Sequence, residues 1–501
     1  MTYFKNKKIF RRIIAVVILL VAAFLLLSIP PSELEVPDAE RSEFSRAFFW
    51  NQNARWDSLE ARYKAARIAG CEQVRNALHD GMQDLAHLLA TIDTRRLPST
   101  AMDFTRLEEQ FFSLAPLAAT CPENVQDYCN LASRIRTSVK QQSELWDMND
   151  RQTRETLYRL LYGSRSAVEE VMLQIPRTQN RSPLLHGFDE SSSTPKATLL
   201  GVTIHSGDIL VSRGGAPTSA LIARGNDFPG NFSHIALAHV DSGSGRLSII
   251  ESHIERGVAI STPEEYLRDT KLRVMILRLR ADLPAMMQDP LLPHHAATSM
   301  LERAVSRHIP YDFTMDYADT TNLFCSEVAS TAYRMHGVQL WTGMSHISSK
   351  GLRRWLADFG VTHFTTQEPS DLEYDPQLRV VAEWRDIETL RKDHIDNAVT
   401  EAMLEGAERG DRLMYRWYML PPARLVKAYC SILNLLGKQG KIPEGMSATA
   451  ALKHEYYTER HKQIVASVLK RARTFLIKEK IEPPYWELLR MSREASAEIP
   501  E

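Results

Sequence analysis

The chain carries almost no net charge, with 61 Lys and Arg side chains against 62 Asp and Glu. A protein that gathers nucleic acid needs a basic surplus to neutralise phosphates, so no nucleic-acid partner is expected. Cysteine is sparse, five in 501 residues, which excludes a disulfide-built scaffold but leaves room for single bridges. Metal signatures are missing too. There is no His-Glu-x-x-His and no Cys-x-x-Cys, His234 and His239 stand on opposite faces of what reads as a strand, and His294 and His295 are adjacent. Neither a metal nor another cofactor is expected. The Gly243-Ser244-Gly245 cluster lies in a polar turn without the context of a nucleophile elbow, and Gly437 to Lys441 follows no strand and lacks the phosphate-loop pattern. Nothing in the chain reads as disordered, and its length fits two or three domains.

Long apolar runs are also rare, and the clearest one stands at the start. Lys5, Lys7, Lys8, Arg11 and Arg12 precede an apolar run from Ile13 to Ile29, closed by Pro30-Pro31 and followed by Glu33, Glu35, Asp38 and Glu40. The run is at the short end for a bilayer span and long for a signal-peptide core. Leu27-Ser28-Ile29-Pro30 fits a cleavage site badly, so residues 1–32 are expected to form an uncleaved signal anchor, a single transmembrane helix with its basic flank in the cytoplasm. A cleaved signal peptide and a buried amino-terminal helix are the alternatives.

From about 45 to 176 the period is helical. Trp56, Leu59, Tyr63, Ala66, Gly70, Val74, Leu78, Leu85, Leu89 and Ile92 draw one long stripe ended by Pro98, and shorter stripes follow. These predict a bundle of about four helices, either a stalk or docking module or simply a packed domain. One bridge is expected among Cys71, Cys121 and Cys129. Residues 177–197 read as a linker, rich in Ser and Pro. Over 198–388 the period switches to two, with strands at Ile209–Ser212, Ser233–Val240, Leu247–Ser252, Leu272–Leu279 and Val380–Trp384, which predicts an α+β domain on an antiparallel sheet. Residues 389–501 return to helices, with Ser447 capping a segment that runs to about Lys480. The very apolar stretch 412–436 predicts a buried core helix pair, with a membrane- or substrate-facing surface as the alternative. Cys430 within it reads as an inert buried thiol.

Chemistry concentrates in the α+β region. Cys325 follows an extended approach, Thr320 to Phe324, and opens a probable helix from Ser326 to Tyr333. A thiol at a helix start meets unpaired N–H groups and the positive dipole end, which favours its thiolate; a small buried hydrophobe is the plainer alternative. His234 begins an alternating strand, and Glu251 near the end of the next could meet its far ring nitrogen, completing an activating chain of thiol, imidazole and carboxylate. His253, two residues on, points to the same face and competes with Glu251 for the third place.

Four segments in chain order carry a resemblance: His205-Ser-Gly-Asp-Ile-Leu210, Ser233-His-Ile-Ala-Leu237, Ile249 to Val258, and Phe324-Cys-Ser-Glu-Val328. Thr262-Pro-Glu-Glu-Tyr-Leu267 and Ile309-Pro-Tyr-Asp-Phe313 add to it. Together they resemble the circularly permuted papain-like hydrolases of the NlpC/P60 superfamily, in the YiiX/YaeF-like branch of bacterial proteins related to lecithin:retinol acyltransferase. The permutation is legible because His234 precedes Cys325. The resemblance covers roughly 200–388 and implies Cys325 as nucleophile, His234 as base and Glu251 as third residue, acting through an acyl-thioester on an amide or ester bond. Tyr311 is expected to line the pocket. Asp312 reads either as a pocket residue or as a turn residue, and Asp208 as a group that holds its turn through backbone hydrogen bonds. The expected setting is a bacterial inner membrane with the catalytic domain on the periplasmic or extracytoplasmic side, and the expected substrate a cell-wall peptide or a lipid. Protein partners are not indicated. The reading from a different class is a non-catalytic, membrane-anchored envelope scaffold that keeps the papain-like fold for binding.

Overall fold

The computed structural model describes residues 2–31, 54–175 and 183–499. The acidic residues Glu33, Glu35, Asp38 and Glu40 and the first part of the linker lie outside the described residues, as do the side chains of Lys5, Lys7, Lys8, Arg11, Arg12 and Trp56.

The stripe expected to run unbroken to Pro98 is two helices, Ala54–Ala69 and Cys71–Asp93. Gly70 between them takes φ 79°, a left-handed conformation that glycine adopts without steric cost, so the chain turns there. Helices Met102–Thr120, Val125–Gln142, Arg151–Tyr158 and Ser164–Gln174 complete the bundle. The stripe residues meet inside it: Leu78, Leu85, Phe104, Phe111, Tyr128 and Val168 are buried, with Phe111 stacked on Tyr128 at 4.4 Å. The expected bridge joins Cys71 to Cys121, and Cys129 stays a buried free thiol.

The α+β region holds a wholly antiparallel seven-stranded sheet. Its strands are β1 (Leu184–His186), β2 (Ile209–Gly214), β3 (His234–Val240), β4 (Leu247–His253), β5 (Gly257–Ser261), β6 (Lys271–Leu279) and β7 (Leu378–Trp384), arranged β1-β7-β6-β2-β3-β4-β5. Five of these sit where alternation predicts them. The edge strands β1 and β5 were not expected: β1 is a three-residue piece of the linker paired with β7, and β5 continues the β4 turn as its partner. Both sheet faces are covered, which is why β6 is buried along its whole length. One cover is helix Ile387–Arg409, whose Asp393 reaches Arg273 of β6 at 2.6 Å; Arg273 also forks onto Glu169 of the bundle at 2.6 and 3.1 Å. Bundle, sheet and carboxy-terminal helices therefore share one set of buried charges. Ser447 caps helix Ala448–Glu479 as expected, its hydroxyl accepting from Ala450 N–H at 3.0 Å.

Two expectations need correction. The amino-terminal segment is a helix, Thr2–Leu27, with its apolar side chains exposed, but among the described residues no helix is long and apolar enough to cross a membrane. Its uninterrupted apolar part, Ile13–Leu27, rises only about 22 Å against a hydrocarbon core of about 30 Å. The transmembrane reading of 1–32 is therefore unsupported. Residues 412–436 do not form a buried helix pair either. Helix Leu420–Leu435 packs through Leu420, Pro421 and Cys430, while Trp417, Leu425, Tyr429, Ile432, Leu435 and Leu436 face outward. Apolar side chains are spread round this segment, and helix Ala448–Glu479 and the end of the amino-terminal helix cover only part of it.

Candidate active site

Strand pairing builds the site. The register sets Ala236 opposite Glu251 and Ala259 opposite Glu251 from the other side, so one face of β3, β4 and β5 carries His234, Glu251, His253 and Ser261 together. Glu251 Oε2 lies 2.8 Å from His234 Nε2, and its other oxygen accepts from the Ser261 hydroxyl at 2.7 Å. An ionised carboxylate only accepts, so Nε2 carries the imidazole proton and the lone pair stands on Nδ1. His253 Nε2 lies 3.1 Å from Glu251 Oε1 and 2.8 Å from an Arg256 nitrogen. A guanidinium can only donate, so His253 Nε2 accepts from Arg256 and does not also donate to Glu251 through that atom. Of the two candidates for the third place, Glu251 is the one bonded to His234.

Cys325 lies in the turn ahead of helix Glu327–Arg334, and its carbonyl accepts from Val328 N–H. The side chain is 5% exposed. Its sulfur contacts the carbonyl oxygen of Ser233 at 3.8 Å, on the backbone of β3 beside His234. His234 and Cys325 line the same cavity, of about 650 Å³. Ile222 and Ile254 also line it, and the carboxy-terminal region contributes Lys441, Pro443, Met446 and His454. His454 hydrogen-bonds Thr218 across the cavity rim at 2.5 Å, so residues 439–454 are a wall of the site.

Burial governs the charges. It pushes the Cys325 thiol up to about 12, although the Ile235 N–H and Ser326 act the other way. The favouring of the thiolate expected at the helix start is outweighed here, because desolvation in a closed turn exceeds the effect of the few N–H groups of a helix of eight residues. Burial likewise lowers His234, opposed by its hydrogen bond to Glu251, and the imidazole is neutral at rest. Glu251 would be raised by burial, but the hydrogen bond from His234 outweighs that and holds it well below the usual carboxylate range. Glu327, two residues after the thiol, was not singled out from the sequence. Burial pushes it up to about 9 while it accepts from Phe324 N–H at 3.1 Å, so it is a neutral acid bracing the turn that holds Cys325.

The supporting residues separate cleanly. Tyr311 lines the cavity, and burial, then the neighbouring Cys325, raises its phenol well above the ordinary value. Asp312 is a turn residue, accepting from Thr314 N–H at 2.8 Å and Asp316 N–H at 2.7 Å. Asp208 accepts from His205 N–H at 2.8 Å and takes a two-pronged bond from Arg278, 2.8 Å on each prong, away from the cavity.

A thiol and an oriented imidazole on one cavity, set on a helix-start turn and an antiparallel sheet with the histidine strand first in the chain, are the arrangement of a permuted papain-like fold. Residues 203–382 match the family described as permuted papain-like amidase enzyme, YaeF/YiiX, C92 family. No curated protein and no solved structure matches the chain.

Proposed function

We propose that the protein is a cysteine amidase or acyl hydrolase in which Cys325 is the nucleophile, His234 the base and Glu251 the group that orients it. The observation that carries this is the 2.8 Å His234–Glu251 hydrogen bond, which leaves a basic Nδ1 in the cavity that Cys325 also lines. The thiol proton passes to Nδ1 as sulfur attacks the substrate carbonyl, and the Cys325 N–H serves as the oxyanion donor in this reading. Protonated His234 then gives its proton to the departing amine or alcohol, leaving an acyl-thioester. Water hydrolyses that thioester, or an acceptor alcohol takes the acyl group, with His234 again as base. The Cys71–Cys121 bridge supports an extracytoplasmic setting at the bacterial envelope, and a cell-wall peptide or a lipid is the substrate class.

The test is mass spectrometry of full-length protein incubated with acylated peptides and lipids. The expected result is an acyl adduct confined to Cys325 and abolished in Cys325→Ala. Absence of any adduct or turnover, with Cys325 no more reactive than Cys430, would return the protein to the binding-scaffold reading.

A further inference from the structure

Helix Leu420–Leu435 presents an apolar face that no described residue covers. Leu425, Tyr429, Ile432 and Leu436 recur at helical spacing, all exposed, and Leu435 beside them shows 87% of its area. Trp417, Tyr418 and Met419 extend the patch through the preceding turn. Its charge is one-sided. Between Asp411 and Glu444 the chain has six basic residues, Arg412, Arg416, Arg424, Lys427, Lys438 and Lys441, and no acidic one, within a protein whose net charge is −1. Exposed aliphatic side chains bordered by aromatic rings and basic groups are the composition of a helix lying in the interface of an anionic bilayer.

The patch is continuous with a second apolar surface. Arg424 donates to the carbonyls of Leu27 at 2.9 Å and Ile29 at 2.8 Å, and Phe24 sets its edge against Trp417 with ring centroids 6.1 Å apart. The exposed amino-terminal helix and helix Leu420–Leu435 are thereby joined. The same helix is tied to the active site. After Gly437 the chain forms the cavity wall with Lys441, Pro443 and Met446, and Lys427 Nζ donates to the carbonyls of Pro443 and Glu444, each at 2.7 Å.

We propose that this joined face seats the protein in the headgroup region of an anionic bilayer, lying in the interface without crossing it, and that the site takes its substrate from that surface: a membrane-resident lipid with an amide- or ester-linked acyl chain. The second half rests on the thiol-hydrolase reading. The Cys325 sulfur bonds to the acyl carbon, the C–N or C–O bond breaks, the amine or alcohol leaves with the thiol's proton, and water releases the fatty acid and restores the thiol.

Hydrogen–deuterium exchange of the full chain, with and without vesicles of phosphatidylcholine containing phosphatidylglycerol, reads the seating. Peptides over 417–436 are expected to exchange about tenfold more slowly on the vesicles, and those around exposed Leu469 and Ile477 of helix Ala448–Glu479 to be unchanged. Unchanged exchange over 417–436 overturns the proposal even where the amino-terminal helix is protected. Turnover of N-acyl-phosphatidylethanolamine and phosphatidylglycerol in those vesicles reads the substrate. Ile432→Asp with Leu435→Asp is expected to reduce it about tenfold or more, with iodoacetamide modification of Cys325 kept at the wild-type rate. Full vesicle turnover in that variant, or turnover of wall peptides and not of these lipids, overturns the substrate half. Unreactive Cys325 in the wild type is the separate failure of the thiol-hydrolase reading.

Discussion

His234 has a single orienting bond and lines the cavity. Glu251 fixes its tautomer, Ser261 holds the carboxylate from behind, and Arg256 occupies His253. Glu251→Gln keeps the shape and removes the charge that favours protonated His234, so two effects are expected. Turnover should fall about a hundredfold or more, through loss of the correct tautomer and of imidazolium stabilisation. The acid limb of the pH–rate profile should move to lower pH, because Glu251 is the group that raises His234 against burial. A loss of turnover with an unmoved limb would make Glu251 merely structural. The nearness of His234, Glu251 and Cys325 was legible in the sequence because alternation puts position 234 on a defined strand face and a cysteine after an extended approach marks a helix start. Ser261, Arg256 and the neutral Glu327 were not, since their contacts arise across an edge strand and inside a closed turn that periodicity does not encode. The upward push on the Cys325 thiol was not legible for a related reason: a helix start can be read from sequence, and the burial that outweighs it cannot.

At the scale of elements, strands flanked by clear turns were legible and short edge strands were not. β2, β3, β4, β6 and β7 have enough alternating residues to declare themselves, whereas β1 is three residues and gains its identity only from pairing with β7. The helical stripe through Gly70 shows the converse error: spacing continued across a residue that turns the chain. The 412–436 stretch shows that hydrophobicity reports a wish for burial and not the partner. That segment spends its apolar side chains on the molecular surface, and the loop after it walls the cavity of Cys325, with Lys427 fastening the two together.

At the scale of the molecule, the flanking helical regions are fastened to the sheet by charge as well as by packing. Arg273 bridges Glu169 and Asp393, and Arg385 also meets Glu169 at 2.6 Å, all of them buried. A buried ion set adds little net stability when complete, but removing one member strands the others in a low dielectric. Arg273→Leu is therefore expected to cost about 3–5 kcal/mol in urea unfolding, with Glu169→Gln added to it recovering part of the loss. A cost below about 1 kcal/mol would mean that the three regions are held together by their apolar contacts alone.

The central claim is that neutral His234 activates a neutral, buried Cys325 thiol, and the pH dependence of iodoacetamide modification at Cys325, located by peptide mass spectrometry, tests it most directly. Burial lowers His234 and raises Cys325, so the wild-type rate should switch on as His234 loses its proton below about pH 6.5 and then hold level through neutrality. In His234→Ala it should be far slower and climb about tenfold per pH unit into the alkaline range, as an unassisted thiol of raised pKa does. A wild-type plateau already present near pH 4 would mean a preformed thiolate–imidazolium pair. A profile unchanged by His234→Ala would contradict the account, since the thiol would then have no base.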